Sequence, residues 1–304
     1  MRAPLILIAC AIPLQAATYY ITVAGLGGAP EYEERFSGWA KDIDKSLHGL
    51  ADARIETLYG SAATKAKFQS VMSQFARDAN SGDALVVMLI GHGSFDGVDY
   101  KINLPGPDLS AAELAALIDR VPAKRQLVVN MTSSSGAARS ALEKPNRLIV
   151  TATRSGAEKN ATVFAQYWAE ALRDPAADTD KDETISALEA FRYAQGKTAK
   201  FYEAEKRLAT EHAILENIGE GVADPPDEPS AGQMAARVPL LMTGAAQRAA
   251  SDPAKKAQFA HKEELEDRID RLKRRKGGMP AEQYKKQIAD LLLELAKTQA
   301  ELNQ

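Results

Sequence analysis

Cysteine is nearly absent from this chain of 304 residues: Cys10 is the only one. It falls within an apolar N-terminal run, so removal of that run leaves a chain with no thiol. Disulfides, thiolate chemistry and cysteine-ligated metal centres are then excluded, even in an oxidising compartment. Histidine is scarce too. His48, His212 and His261 show no zinc-ligand spacing and neither glutamate-type zinc motif occurs, so no zinc is expected. There is no excess of basic charge: 38 Lys and Arg stand against 41 Asp and Glu, for a net charge of −3. A general nucleic-acid binder presents a basic field, so nucleic acid is not an expected partner. No apolar run reaches the roughly 20 residues a transmembrane helix needs. Aromatic residues make up only 6% of the chain. With alanine abundant, that points to tightly packed helices around a modest sheet. The length provides one full core of roughly 200 residues plus an appendage.

The N-terminus has the pattern of a secretory signal peptide over residues 1–17. Arg2 supplies a short basic start, Leu5 to Leu14 an apolar core, and Gln15, Ala16 and Ala17 a small-residue exit. Cleavage near Ala16 or Ala17 leaves Thr18 or Tyr19 as the first residue of an exported, periplasmic or extracellular protein. Two other readings stand beside it: a buried element over residues 5–14, or a lipoprotein box at Leu7 to Cys10, which would come very early.

From residue 18, β-rich apolar runs alternate with helical spacing. Tyr19 to Ala24 reads as a first central strand ending at a glycine-rich turn, Gly25 to Gly28. The glycine spacing there is wrong for a dinucleotide fingerprint. Residues 31–48 place Phe36, Trp39, Ile43 and Leu47 on one helical face, and Lys65 to Ala79 does the same with Phe68, Val71, Met72 and Phe75. Arg54 to Tyr59, Asp83 to Ile90, Leu127 to Val129 and Arg147 to Thr151 read as further strands. Asp83 to Ile90 is almost wholly apolar, as a parallel strand covered on both faces should be. Ser110 and Glu113 form a capping box before the next helix. The alternation predicts an α/β fold with a doubly wound, mostly parallel sheet flanked by helices over residues 18–243, with ligands at the carboxyl ends of the strands.

Residues 219–236, rich in Gly, Pro, Asp, Glu and Ser, are expected to form a loop. Val238 to Met242 is expected to return one edge strand to the sheet, since Pro239 suits an edge. A linker over 244–261 leads to a helical hairpin over 262–304, broken at Gly277 to Pro280. Leu265, Ile269 and Leu272 stripe its first helix; Tyr284, Ile288, Leu291 and Leu295 stripe the second, in coiled-coil fashion. A pair this short packs on the main domain or on another copy, so self-association through the C-terminal helices is expected. Its ten basic and nine acidic residues read as an ordinary solvated face.

Two strand ends carry candidate chemistry: Gly91-His92-Gly93, and Asn130 followed by Met131, Thr132, Ser133, Ser134, Ser135 and Gly136. At adjacent strand tips, a histidine and a hydroxyl can serve as base and nucleophile, with backbone N–H groups near Gly93 and Ser133 facing an oxyanion. From the residues alone, a turn histidine and helix-capping serines account for the same pattern. The order of apolar strand, His-Gly, then about 40 residues later apolar strand, Ser-Gly and helix resembles the caspase-like fold of the caspase/legumain-like peptidases, over roughly residues 19–242. The resemblance implies His92 as general base, Gly93 as oxyanion glycine, and Ser133 at the position of the catalytic cysteine, with Ser134, Ser135 and Gly136 completing the motif. It places Thr151 to Gly156 at the wall of the specificity pocket. Arg154 there would pair with an acidic side chain or a terminal carboxylate, with Ser135 as a second substrate-binding group.

Serine in place of cysteine changes the chemistry. A thiol of pKa near 8.5 is already about a few per cent thiolate at neutral pH, and a loosely placed histidine suffices. A hydroxyl needs its base at about 2.6–3.2 Å, oriented by a carboxylate behind it. Neither Asp96 nor Asp99 is an evident orienting acid. The resemblance therefore implies a degenerate peptidase homologue, a pseudoenzyme that binds peptide or protein. The alternative is a serine-dependent peptidase or esterase using His92 and Ser133.

The sharpest local motif runs from Asp178 to Glu189. It sets oxygen donors Asp178, Asp180, Asp182, Ser186 and Glu189 at positions 1, 3, 5, 9 and 12 of an EF-hand-like loop, with the carbonyl of Thr184 at 7. Ile185 takes the apolar anchor position, and helical patterns lie on both sides. Calcium is the cofactor this predicts. Glu183 departs from the motif at position 6, where glycine makes a sharp turn. The plainer reading is an acidic turn capping the next helix. Glu211, His212, Glu216 and Asn217 read as structural polar anchors.

Overall fold

The computed structural model describes residues 17–50, 52–217, 231–244, 246–247, 252 and 255–302. The signal-peptide reading and Cys10 fall at residues 1–16 and so lie outside the described residues, apart from Ala17.

The chain starts with β1 (Thr18–Ala24), α1 (Pro30–Leu47), β2 (Ala53–Leu58), α2 (Lys65–Asp78) and β3 (Ala84–Ile90). A small antiparallel sheet of β4 (Gly93–Phe95), β5 (Tyr100–Ile102) and β6 (Leu109–Ser110) follows, then α3 (Ala111–Asp119). The main run resumes with β7 (Arg125–Asn130), α4 (Arg139–Leu142), β8 (Arg147–Thr151) and α5 (Phe164–Ala171). After the acidic loop come β9 (Thr184–Ser186), α6 (Ala187–Ala204), β10 (Ile214–Glu216), α7 (Ala231–Ala236) and β11 (Pro239–Met242).

The main sheet has the order β10-β8-β7-β3-β1-β2, parallel throughout except for β10 on β8. It is the doubly wound, mostly parallel sheet the alternation predicts. β3 shows why its sequence is apolar without a break. Val86, Met88 and Ile90 point into a core shared with α1, α5 and α6, while Leu85, Val87 and Leu89 point into the opposite core with α2 and α3. Each helix gives that sheet one stripe: Phe36, Ala40, Ile43 and Leu47 from α1, and Phe68, Val71, Met72 and Phe75 from α2. The Ser110–Glu113 capping box has both of its hydrogen bonds.

Three expectations are corrected. Val238 to Met242 does not return to the main sheet: β11 pairs with β9 in a separate two-stranded sheet. The antiparallel edge strand is β10, with Leu215 opposite Val150. Of the loop expected over 219–236, residues 231–236 are helical and the remainder lies outside the described residues. The hairpin's first helix begins at Lys256, inside the expected linker, because residues 256–260 are good helix formers with no breaker among them.

The hairpin itself is as predicted, Lys256–Arg274 followed by Ala281–Leu302. Leu265, Ile269, Leu272 and Leu291 form a core of their own, flanked by Tyr284, Ile288 and Leu295. Among the described residues no helix is long and apolar enough to cross a membrane.

Candidate functional site

The tips of β1 and β3 are drawn together where side chains are missing. The Gly25 N–H donates to the Ile90 carbonyl at 2.8 Å, and a Cβ on Gly91, whose φ is 144°, would sit 3.4 Å from Gly25. His92 follows. Its ring lies edge-on to Tyr32 at 4.8 Å and to Phe36 at 5.1 Å between centroids, both from α1. Partial burial lowers its pKa, against a hydrogen bond with the backbone of Gly27 that raises it. The imidazole is therefore neutral at neutral pH, as a base must be. Gly93 is required sterically: a Cβ there would lie 2.4 Å from the Ser133 carbonyl oxygen and 2.7 Å from the Tyr100 ring. This contact brings β4 against the loop that carries Ser133.

That loop leaves β7 at Asn130 over a buried polar knot. Asn130 Oδ1 accepts from the Thr132 hydroxyl at 2.8 Å, Asn130 Nδ2 donates to the Tyr100 hydroxyl at 3.0 Å, and the Tyr100 hydroxyl bonds that of Thr132. Burial pushes the Tyr100 phenol up to about 12, so it stays a neutral member of the knot. Ser133 is 1% exposed, and its hydroxyl has no hydrogen-bond partner among the described residues. Ser134 is buried in the left-handed region at φ 55°, with its N–H donating to the Glu158 carbonyl at 2.8 Å and its hydroxyl likewise unpartnered. The Ser135 hydroxyl joins Thr153 instead: it accepts from the Thr153 N–H at 3.1 Å and bonds the Thr153 hydroxyl. Gly136 presses on the next strand end, where a Cβ would meet the Arg154 carbonyl carbon at 2.4 Å.

The structure thus sets His92 and Ser133 on the ends of neighbouring strands without a hydrogen bond between them. The imidazole is held toward α1 and the hydroxyl is turned into protein. Among the described residues, the bond that holds the imidazole is to the Gly27 backbone and not to a carboxylate. Asp96 Oδ1 accepts from the N–H groups of Val98 and Asp99 in a turn, and those bonds lower its pKa.

Arg154 is exposed at the carboxyl end of β8. Its N–H donates to Glu158 Oε2 at 2.7 Å, and the same carboxylate takes the His212 N–H at 3.2 Å and its Nδ1 at 2.5 Å. Glu158 therefore ties the serine loop, the end of β8 and the segment before β10 into one wall. Sequence reasoning missed this residue, because a glutamate in a short polar loop carries no periodicity to mark it. Glu211, next to His212, is a structural anchor as expected. It accepts from Val163 N at 2.7 Å and Phe164 N at 3.2 Å, at the start of α5, and from the Tyr202 hydroxyl at 3.0 Å. Two large apolar side chains are exposed in the loops that follow β1 and β4: Leu26 at 42% and Val98 at 86%.

In the acidic loop, Asp178, Asp180 and Asp182 converge, each offering a carboxylate oxygen within 4.8 Å of the others. Burial raises the pKa of Asp180, and the charges of Asp182, Glu189 and Asp178 raise it further. Asp178 Oδ1 is buried without a partner. Glu183 adopts φ 62°, so the chain makes the left-handed turn at position 6 despite having a side chain there. Its carbonyl accepts from Thr243 N at 2.8 Å and its carboxylate from Ala246 N at 3.0 Å. The other expected ligands are engaged elsewhere. Ser186 caps α6 in a capping box with Glu189, and the second oxygen of Glu189 accepts from Thr179 N at 2.8 Å. These bonds outweigh burial and hold the Glu189 carboxyl below its usual value. The backbone N–H of Thr184 donates to Asp182 at 2.8 Å. The three aspartates with an orphaned oxygen suit a divalent cation; Ser186 and Glu189 would have to leave their cap to join it.

The strand order and flanking helices define a doubly wound α/β domain with an added helical hairpin. Among solved structures, the chain is similar to a protein of Geobacter sulfurreducens from a structural genomics programme, at 13% identity and a TM-score of 0.48, covering 76% of this chain and 100% of that one. It is similar to caspase-1 from Spodoptera frugiperda at 14% identity and a TM-score of 0.44, covering 67% of this chain and 86% of the other. The Drosophila initiator caspase Dronc matches at 12% identity and a TM-score of 0.40, over 67% of this chain and 80% of its own. No family model matches the chain, and no curated protein matches it.

Proposed function

We propose that this chain is a caspase-like domain without peptidase chemistry, which binds a peptide or protein segment across the carboxyl ends of its sheet. One observation carries the reading: Ser133, at the position of the nucleophile, is buried with an unpartnered hydroxyl, while His92 packs on Tyr32 and Phe36. A serine nucleophile needs the opposite arrangement, exposed to substrate and bonded to its base. The exposed rim has the character of a binding surface. Leu26 and Val98 offer apolar contact, and Arg154 offers a guanidinium for an acidic side chain or terminal carboxylate. The leader pattern of residues 1–17 supports export, so the binding would take place outside the cytoplasm.

The test is turnover of a broad fluorogenic peptide and ester panel by purified protein with calcium, alongside His92→Ala and Ser133→Ala. No turnover above the variants' level is expected. A wild-type rate lost in both variants would overturn the reading and establish the serine hydrolase in its place.

A second reading concerns the acidic loop. The orphaned Asp178 oxygen and the mutual crowding of Asp178, Asp180 and Asp182 support a calcium site that steadies the start of α6. Asp178, Asp180, Asp182 and the Thr184 carbonyl would hold the ion, joined by Ser186 and Glu189. The helical hairpin is read as the self-association element.

A further inference from the structure

The second hairpin helix, Ala281–Leu302, has two apolar faces. One is spent inside the hairpin: Tyr284, Ile288, Leu291 and Leu295 pack toward the first helix. The other is open. Ala289, Leu292, Leu293, Ala296 and Ala300 are all exposed, with Leu292 at 49% and Leu293 at 59%. At about 100° per residue this stripe is centred about 125° around the helix from the residues of the hairpin core. Its spacing of three and four residues is that of a helix-packing seam.

Resting on the reading of the hairpin as a self-association element, we propose that this outer face pairs with the same face of a second copy, the two helices antiparallel. The charges beside the stripe select that partner and direction. Along one flank run Lys286, Asp290, Lys297 and Glu301. In an antiparallel pair centred between Leu292 and Leu293, Ala289 meets Ala296 of the other copy, and each flank faces its own counterpart running the other way. Strict register about that centre puts position 299 opposite Lys286 and position 295 opposite Asp290; Glu301 and Lys297 of the second copy lie two residues farther on, about 3 Å along the axis, where those side chains pair with them. Every facing pair is opposite in sign. A parallel pair would set this charged flank against the other one, which holds Gln299 and the hairpin-facing Ile288, and would leave all four charges unmatched.

Sedimentation of the full chain over a concentration series tests the pairing. The wild type is expected to be a dimer that weakens with added salt. Leu292→Lys with Leu293→Lys is expected to give a monomer with an unchanged melting temperature. Lys286→Glu alone sets like charges opposite each other twice per dimer and should raise the dimer dissociation constant about tenfold, and Glu301→Lys alone should do the same. Combining the two restores the wild-type value. A monomeric wild type overturns both this pairing and the hairpin's role in association. A dimer indifferent to the two lysines keeps self-association but overturns this face. Failure of the charge swap to rescue overturns the antiparallel direction. None of these outcomes bears on peptide binding at the sheet, which is read separately.

Discussion

The carboxyl group of Glu211 is buried beside the start of α5. Burial pushes its pKa above the ordinary glutamate value of 4.5, against the pull of the Val163 and Phe164 N–H groups and the Tyr202 hydroxyl. A carboxyl whose folded-state pKa is raised holds its proton more tightly in the folded chain than in the unfolded one. The stability it contributes is therefore present below 4.5 and is lost as pH rises through the folded value. Glu211→Gln removes that titration while keeping an oxygen for the helix N–H groups. A urea-unfolding series from pH 4 upward should show the wild-type midpoint falling with pH more steeply than that of the variant. Parallel curves would mean that the helix start fully compensates the burial. At this scale the sequence was legible where residue types stand in a known spacing: Ser110 with Glu113, and His92 between two glycines. It was silent on partnership. Nothing in the string places Glu158 on His212, or turns the Ser133 hydroxyl inward, because both depend on chain segments that meet only in the fold.

Elements with a long apolar period were readable, and short ones were not. α1 and α2 bury the residues their spacing marks, and β3 is apolar because both of its faces are covered. β10 and β11 have three and four residues, too few for a period to show. Their partners lie far along the chain, on β8 and β9. Pro239 correctly marks β11 as an edge strand but cannot say of which sheet. The acidic loop stands between these cases. Its spacing brings three aspartates together as read, while Ser186 and Glu189 are used to cap α6. Calorimetric titration should give about one calcium per chain, abolished in Asp178→Ala with Asp182→Ala. Asp180→Asn removes a charge that burial and three neighbouring acids disfavour. It should raise the melting temperature of the calcium-free protein by about 2 °C and weaken the stabilisation that calcium adds. No heat in the wild type would reduce the loop to a helix cap.

At the scale of the molecule, two cores lie on either side of one sheet and a third lies inside the hairpin. Among the described residues the third is a cluster of its own, Leu265, Ile269, Leu272 and Leu291 with Met279, Tyr284, Ile288 and Leu295 packed against them. Among the described residues, the hairpin meets the body at Lys262 with Asp182, 3.7 Å apart, and at Arg237 with the Glu266 carbonyl, 3.2 Å apart. Partly exposed pairs of this kind contribute about 0–1 kcal/mol each. The sheet body should therefore not depend on the hairpin for its fold, whereas assembly should. A chain ending at residue 247 is expected to unfold cooperatively, with a melting temperature within about 4 °C of the full protein's, roughly the shift that 1 kcal/mol makes in a domain of this size. It is also expected to sediment as a monomer at concentrations where the full chain is dimeric. Calorimetric scanning with sedimentation on the same samples separates the two roles. A broad, non-cooperative transition in the shortened chain would mean that the hairpin completes the body's fold, and the polar contacts at Asp182 and Arg237 would then be far stronger than exposed pairs of their kind.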